Sequence, residues 1–133
     1  RRNTIRDVCF DDRSLSTSSY NAGAILVQHF LPDLKTAYPQ ENRDISILDN
    51  TIEKIGGCGI LAISAKGLTI SGNKISGTQQ VDCDQVGKEM RISSKAAISV
   101  NYSSDVIVKD NIFGPRGPYC RQDVSENNGV KQP

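Results

Sequence analysis

The chain has 133 residues, of which 37% are hydrophobic and 23% are charged, an ordinary composition for one globular domain. Its 16 basic and 15 acidic residues nearly cancel, and it contains no Trp, so a nucleic-acid partner is not expected. No run of apolar residues in the chain approaches the length of a membrane-spanning helix. A membrane-spanning helix needs about 20 apolar residues, so no membrane partner is expected either.

Short strand-like segments recur along the chain in two alternating families. The first begins at Asn3 and repeats the pattern Asp/Gly, apolar, x, apolar, x, Asp/Gly, Asn, x, apolar in 44–52, 67–75 and 105–113. The second comprises 24–27, 59–62 and 97–100. Alternation of apolar residues over so few positions is typical of β-strands and leaves no room for helices.

The spacing of the corner asparagines defines a coil. Asn50 and Asn73 are 23 residues apart, Asn73 and Asn111 are 38 apart, and Asn3 and Asn50 are 47 apart. These distances fit a basic coil of 23 residues, with inserted residues in each of the two longer intervals. Such a coil cannot bury its apolar face alone, so coils must stack. We therefore predict an all-β fold, a right-handed parallel β-helix of about three coils plus a partial fourth, with inserted loops.

Two sets of side chains are expected to stack from coil to coil. Asn50, Asn73 and Asn111 are predicted to form a hydrogen-bonded ladder at one corner. Nine apolar residues are predicted to face inward: Ile45, Ile47, Ile52, Leu68, Ile70, Ile75, Val106, Val108 and Phe113.

Over residues 1–113, a strand, an Asn corner and a second strand recur in a fixed order and spacing. This repeat resembles the repeat of the pectate-lyase-like superfamily. Residues 42–75 are most similar to the β-helix of bacterial exo-galactosidases that remove terminal α-galactose. The resemblance implies a secreted carbohydrate-active enzyme, extracellular or periplasmic, with a polysaccharide or glycan as substrate. The Gly-His-Gly and Arg-x-Lys motifs of polygalacturonases are absent from the sequence, so that specific activity is not implied.

The repeat also predicts the domain organisation. Residues 1–114 are expected to form the coils, as the C-terminal part of a longer solenoid whose remaining coils are partners of this chain. Residues 115–133 lose the periodicity and are expected to form an irregular tail or cap.

Insertions between coils are the expected place for function. One lies between Ile5 and Ile25 and another between Ile75 and Ile98, and both leave the same corner. Residues 53–59 form a low saddle between them, so a cleft is expected there. The insertion 29–42 leaves a different corner and is expected to pack on the outside as a lid or partner contact.

The two insertions at the saddle are rich in carboxylates. Glycoside hydrolysis needs two of them, one as acid and one as base or nucleophile. The candidate catalytic residues are Asp11, Asp12, Asp82, Asp84 and Glu89, and the candidate substrate-binding residues are His29, Lys88 and Arg91. For each carboxylate, the alternative is a solvated loop charge.

Two other functions remain open. A polysaccharide lyase would use Lys88 or Arg91 as the base and could need Ca²⁺, which is the one cofactor considered; no metal site is otherwise predicted. A non-catalytic β-helix would be an adhesin, a tailspike or a carbohydrate-binding stack.

The four cysteines are too sparse for a disulfide framework. Cys9 could pair with Cys58, and Cys83 with Cys120, since neighbouring coils are within disulfide distance. Alternatively all four are thiols, which is the interpretation favoured for Cys58.

Overall fold

The computed structural model describes residues 1–8, 23–28, 42–82 and 95–127. In these ranges the chain forms β-strands, and no helix there is long and apolar enough to cross a membrane. The strands in chain order are β1 (Thr4–Val8), β2 (Gly23–Gln28), β3 (Asn42–Leu48), β4 (Thr51–Ile55), β5 (Cys58–Ile63), β6 (Ala65–Ser71), β7 (Lys74–Ser76), β8 (Ala96–Asn101), β9 (Ser104–Lys109), β10 (Ile112–Phe113) and β11 (Gln122–Asn127).

The strands form three parallel sheets. Sheet A has the order β1-β4-β7-β10, sheet B the order β11-β8-β5-β2, and sheet C the order β3-β6-β9. Each strand pairs in parallel with the equivalent strand of the neighbouring coil. Parallel strands need a long crossover connection, and the other segments of the coil provide it. This confirms the predicted parallel β-helix.

The core consists of inward-facing residues stacked in files. One file in sheet A joins Ile5, Ile52, Ile75 and Phe113. All nine residues predicted to face inward belong to the core cluster or pack against it. Complete burial of an aliphatic side chain contributes about 1.5 to 3 kcal/mol, so the files stabilise the stack of coils.

The Asp/Gly positions of the repeat have a common backbone conformation. Their φ angles are all positive: 54° at Asp44, 72° at Gly67, 53° at Asp105, 56° at Asp49, 69° at Gly72 and 55° at Asp110. Glycine adopts this left-handed region without steric cost, and aspartate adopts it more readily than most residues. The repeat therefore selects Asp or Gly because the chain turns there in every coil.

The predicted asparagine ladder is present and begins one coil earlier, at Asn3. The backbone N–H and the Nδ2 of each asparagine donate to Oδ1 of the asparagine in the following coil, from Asn3 through Asn50 and Asn73 to Asn111, at 2.9–3.1 Å. Asn73 is completely buried. The ladder thus satisfies polar groups at a corner that lies inside the molecule.

The C-terminal region differs from the expected irregular tail. Gln122–Asn127 form β11, which pairs in parallel with β8 through five residue pairs. The β-helix therefore continues through Asn127 instead of ending at residue 114. The sequence pattern missed β11 because Val124 is its only aliphatic residue. Residues 128–133 lie outside the described ranges.

Candidate functional site

A shallow groove crosses the outer side of sheet A, where its strands end. Its volume is about 350 Å³. The lining residues come from four successive coils: Arg6, Glu53, Lys54, Ser76, Gly77, Gln80, Pro115 and Arg116. Because neighbouring coils are about 4.8 Å apart, a groove over four coils is about 14 Å long.

The repeat positions these side chains. The third residue after each ladder asparagine lies in one outward file, in which Arg6 pairs with Glu53 and Glu53 with Ser76. The fourth residue after Asn3, Asn50 and Asn73 has positive φ, 55° at Asp7, 53° at Lys54 and 60° at Gly77. The chain turns out of sheet A at this point, which forms the rim of the groove.

Three cations line the groove, and each of them is paired. Asp7 Oδ2 accepts from Arg6 Nε at 3.2 Å, and Asp7 Oδ1 lies 3.1 Å from Lys54 Nζ. The hydrogen bond from Lys54 lowers the pKa of Asp7, and the charge of Arg6 adds to this effect. At the other end, the Arg116 Nε donates to Asp123 Oδ1 at 3.0 Å, which raises the pKa of Arg116.

Among the described residues that line the groove, Glu53 is the one that carries a carboxylate. It is half-exposed and lies between Arg6 and Ser76 in its file. Within the described ranges, both nearby cations pair with Asp7, and no hydrogen bond or ion pair engages the Glu53 side chain. Its carboxylate can therefore accept a hydrogen bond from a ligand hydroxyl or exchange a proton with a ligand.

The two insertions at the predicted saddle do begin at one corner. Gly56 N donates to Val8 O at 2.9 Å, and Gly56 O accepts from Val81 N at 3.0 Å. The segments that follow Val8 and Asp82 therefore start on either side of Gly56. This corner adjoins the groove, because Gln80 lines the groove and donates its backbone N–H to Ile55 O at 3.1 Å.

Of the eight predicted site residues, only Asp82 lies in the described ranges. Its Oδ1 is 3.4 Å from Lys95 Nζ, and its side chain is half-exposed. Asp11, Asp12, Asp84, Glu89, His29, Lys88 and Arg91 lie outside the described residues. Their catalytic and binding roles remain predictions.

The saddle of residues 53–59 is partly covered and partly open, and the insertions expected to wall a cleft above it lie outside the described residues. Backbone hydrogen bonds from Gln79, Gln80 and Val81 cover residues 55–57. Leu61 and Ile63, which lie on the outer face of β5, are fully buried. Residues 55–57 of the saddle are therefore covered, whereas Glu53 and Lys54 of the same saddle line the groove.

Two cysteines are described, and both are thiols. Cys58 is buried, and Gln79 Nε2 lies 3.4 Å from its Sγ. Cys120 Sγ lies 3.5 Å from Thr78 Oγ1. Cys58 is therefore a thiol in this structure, which was the favoured alternative. Cys9 and Cys83 lie outside the described residues. In the same ranges, no three His, Cys, Asp or Glu side chains converge to hold a metal ion.

The groove lies on outward residues of the repeat, whereas the sequence pattern predicted a site on the insertions. The signal was nevertheless present in the repeat. Counting three and four residues beyond each ladder asparagine finds Arg6, Glu53 and Lys54 at one place on the surface. Arg116 could not be found in this way, since its position depends on the contact with Asp123 in β11.

Comparison with known proteins agrees with the architecture. The family model described as "right handed beta helix region" matches residues 37–130. Neither the curated proteins nor the solved structures include a significant match.

Proposed function

Because the chain belongs to the right-handed β-helix family, we propose that it is part of a secreted carbohydrate-active enzyme that binds a glycan along the groove. The observation that carries the proposal is the row of hydrogen-bonding side chains from four successive coils. A row about 14 Å long matches a linear, repeating ligand better than a single small molecule. Polysaccharides are such ligands, and their hydroxyl groups need both donors and acceptors.

The groove offers both kinds of group. Arg6, Lys54 and Arg116 are donors, Glu53 is an acceptor, and Ser76 can act as either. The ion pairs with Asp7 and Asp123 hold the three cationic side chains in place before a ligand arrives. A site whose polar groups are already oriented loses less conformational entropy on binding.

The proposed reaction is glycoside hydrolysis. It requires two carboxylates about 5 to 9.5 Å apart across the scissile bond. Glu53 supplies one carboxylate in the groove, and the insertions that begin beside Gly56 carry the predicted candidates Asp11, Asp12, Asp84 and Glu89. Asp82 is the fifth candidate, and its Oδ1 lies 3.4 Å from Lys95 Nζ.

A hydrolase fits the charges of the groove better than a lyase. Lyases of uronate polymers need positive charge or Ca²⁺ to neutralise the substrate carboxylate. Here the three lining cations already pair with Asp7 and Asp123, and Glu53 adds a further negative charge. A neutral glycan therefore fits this groove better than an acidic one. An extracellular or periplasmic location belongs to the same proposal, since polymeric glycans are found there.

The experiment is a hydrolysis assay on a panel of neutral and acidic glycans. Reducing-sugar release reports hydrolysis, and absorbance near 235 nm reports lyase products. We expect neutral glycans to be cleaved without new absorbance, and Asp11→Ala, Asp12→Ala or Glu53→Gln to abolish cleavage. Lys66→Ala on sheet C is the matched control, since Lys66 is exposed and does not line the groove.

One observation favours a second candidate function, a non-catalytic carbohydrate-binding stack. Among the described lining residues, Glu53 is the one carboxylate, whereas hydrolysis needs two. Glycan binding without turnover, lost in Arg116→Ala and retained in Glu53→Gln, would support this candidate. Absence of both binding and turnover on every glycan would contradict both functions.

A further inference from the structure

The groove changes in character between its two halves. Its outward positions are the third and fourth residues after each ladder asparagine, and the strand pairing aligns them from coil to coil. In the first two coils these positions carry charged side chains: Arg6, Asp7, Glu53 and Lys54. In the next two coils they hold small or uncharged residues: Ser76, Gly77, Gly114 and Pro115. The smaller residues leave a depression in the groove over the third and fourth coils.

Gly77 lies at the centre of this depression. It is one coil from Lys54 and one coil from Pro115, and it lines the groove without a side chain. Its φ of 60° does not by itself require glycine, because Asp7 and Lys54 adopt φ of 55° and 53° at the equivalent positions of the preceding coils. The Lys54 side chain projects from its position and is 62% exposed. At Gly77, a ligand can instead approach the backbone closely.

The floor of the depression is apolar although it consists partly of backbone. Gly77 donates its N–H to Pro115 O at 2.7 Å. Gly77 O accepts from Ile55 N and from Gln80 Nε2, at 3.0 Å each. Both polar groups of Gly77 are therefore occupied, and its Cα is what it offers to a ligand. The exposed ring of Pro115 also lines the groove and adds further C–H groups.

Polar side chains without positive charge border this floor. Ser76 Oγ can donate or accept, and in the described part of the chain it makes no hydrogen bond. The hydrogen bond from Gln80 Nε2 to Gly77 O holds the Gln80 amide beside the floor. Glu53 pairs with Ser76 in the outward file and adds a carboxylate acceptor. Three side chains that can bind hydroxyl groups therefore lie at the edge of the apolar floor.

An apolar floor bordered by hydroxyl-binding groups matches one ring of a pyranose sugar. Such a ring has C–H groups on its faces and hydroxyl groups around its edge. Lys54 and Pro115 lie two coils apart, or about 9 to 10 Å, which leaves room for a single ring between them. A few placed polar groups on a mostly apolar surface are typical of sites that fix the orientation of a small ligand. A uronate ring fits less well, since its carboxylate would lie near Glu53.

We infer that the groove contains a subsite for one neutral pyranose ring, which lies with one face on Gly77 and Pro115. The hydroxyl groups of this ring contact Ser76, Gln80 and Glu53. Gly77 is the specificity-determining residue of the subsite, because any side chain at this position would occupy the place of the ring. The inference rests on the proposed glycan function and adds to it the position and the chemistry of a single sugar unit.

The first test measures the binding of tetrasaccharides of galactose, glucose and mannose by calorimetry. Gly77→Asn fills the depression with a residue that tolerates positive φ. Gly67→Asn is the matched control, because Gly67 has φ of 72° and lies on sheet C, outside the groove. We expect Gly77→Asn to weaken binding at least tenfold and Gly67→Asn to change it less than twofold. A tetrasaccharide of galacturonic acid should bind wild type at least tenfold more weakly than the best neutral one.

The second measurement uses the unmodified chain, because a Cβ at Gly77 would lie 3.2 Å from Lys54 N, closer than an ordinary contact. In NMR titrations, we expect the largest ligand-induced shifts at the backbone amides of Ser76 and Gly77 and at the side-chain amide of Gln80. Wild-type affinity in Gly77→Asn, largest shifts at other residues, or tighter binding of the uronate would overturn the subsite and leave the glycan function intact. Absence of binding of every tetrasaccharide to wild type would contradict the glycan function and the subsite together.

Discussion

At the residue scale, Asn73 combines complete burial with a full set of hydrogen bonds from its side chain. Asn73 Oδ1 accepts from Asn50 N at 2.9 Å and Asn50 Nδ2 at 3.0 Å, and Asn73 Nδ2 donates to Ile47 O and Asn111 Oδ1 at 3.0 Å each. No apolar side chain can replace these contacts. The asparagines are therefore structural, and their positions in the sequence report the register of the coils.

Substitution of Asn73 by Leu is expected to lower the free energy of unfolding by about 2 to 4 kcal/mol. The change removes both the acceptor for Asn50 and the donor to Ile47, so buried polar groups lose their partners, at about 1 to 3 kcal/mol each. Urea unfolding measures the loss. Asn111→Leu is the control, and its effect should be smaller because Asn111 is the terminal, half-exposed member of the ladder.

A second residue-scale prediction concerns pH. The hydrogen bond from Lys54 lowers the pKa of Asp7 in the folded state. A carboxyl whose pKa is lower in the folded state stabilises the fold above its unfolded pKa, and this stabilisation is lost as the pH falls through the folded pKa. Asp7→Asn should therefore lower the melting temperature at pH 7, and the difference from wild type should shrink as the pH falls below about 4 and vanish only below the lowered folded-state pKa of Asp7. A difference that persists unchanged at pH 2 would contradict this assignment.

At the element scale, positive φ explains the Asp/Gly positions of the repeat. Gly67 has φ of 72° and lies beside Asp44, whose φ is 54°. Gly67→Val should destabilise the protein by at least about 1 to 2 kcal/mol, since a β-branched residue strongly disfavours this conformation. Gly67→Asn, the matched control, should cost less than the valine variant because asparagine tolerates the left-handed region. Equal losses in thermal unfolding would show that backbone conformation is not what selects these residues.

Strand β11 gives a second prediction at this scale. A chain that ends at Cys120 loses β11 and uncovers the edge of β8, where Ile98 and Val100 are buried. Its melting temperature should fall by several degrees, whereas a chain that ends at Asn127 keeps the pairing of β11 with β8 and serves as the control. If both truncated chains melt at the same temperature, β11 contributes nothing to the stability of the β-helix.

At the scale of the whole molecule, the sequence predicts most of the fold because the repeat records it directly. The inward files, the asparagine ladder and the parallel pairing all follow from one 23-residue period. β11 could not be predicted in this way, since a terminal strand with Asp123 and Glu126 lacks the apolar pattern of an internal one. Its position depends on pairing with β8, a contact between residues more than 20 positions apart.

The candidate site was less predictable than the fold. Insertions have no period, so the sequence places Asp11 and Asp82 near one corner without fixing the positions of their side chains. The groove consists instead of outward residues of the repeat, whose chemistry varies from coil to coil. Arg6, Glu53 and Ser76 occupy equivalent positions and have unrelated side chains, and therefore only the register reveals that they are neighbours.

The most direct test of the central claim is glycan binding by the intact chain, measured by calorimetry or on a glycan array, with wild type beside Arg116→Ala and the control Lys66→Ala. We predict saturable binding of a neutral glycan that weakens at least tenfold in Arg116→Ala and is unchanged in Lys66→Ala. Equal binding by all three proteins, or no binding to any glycan, would contradict the assignment of the groove.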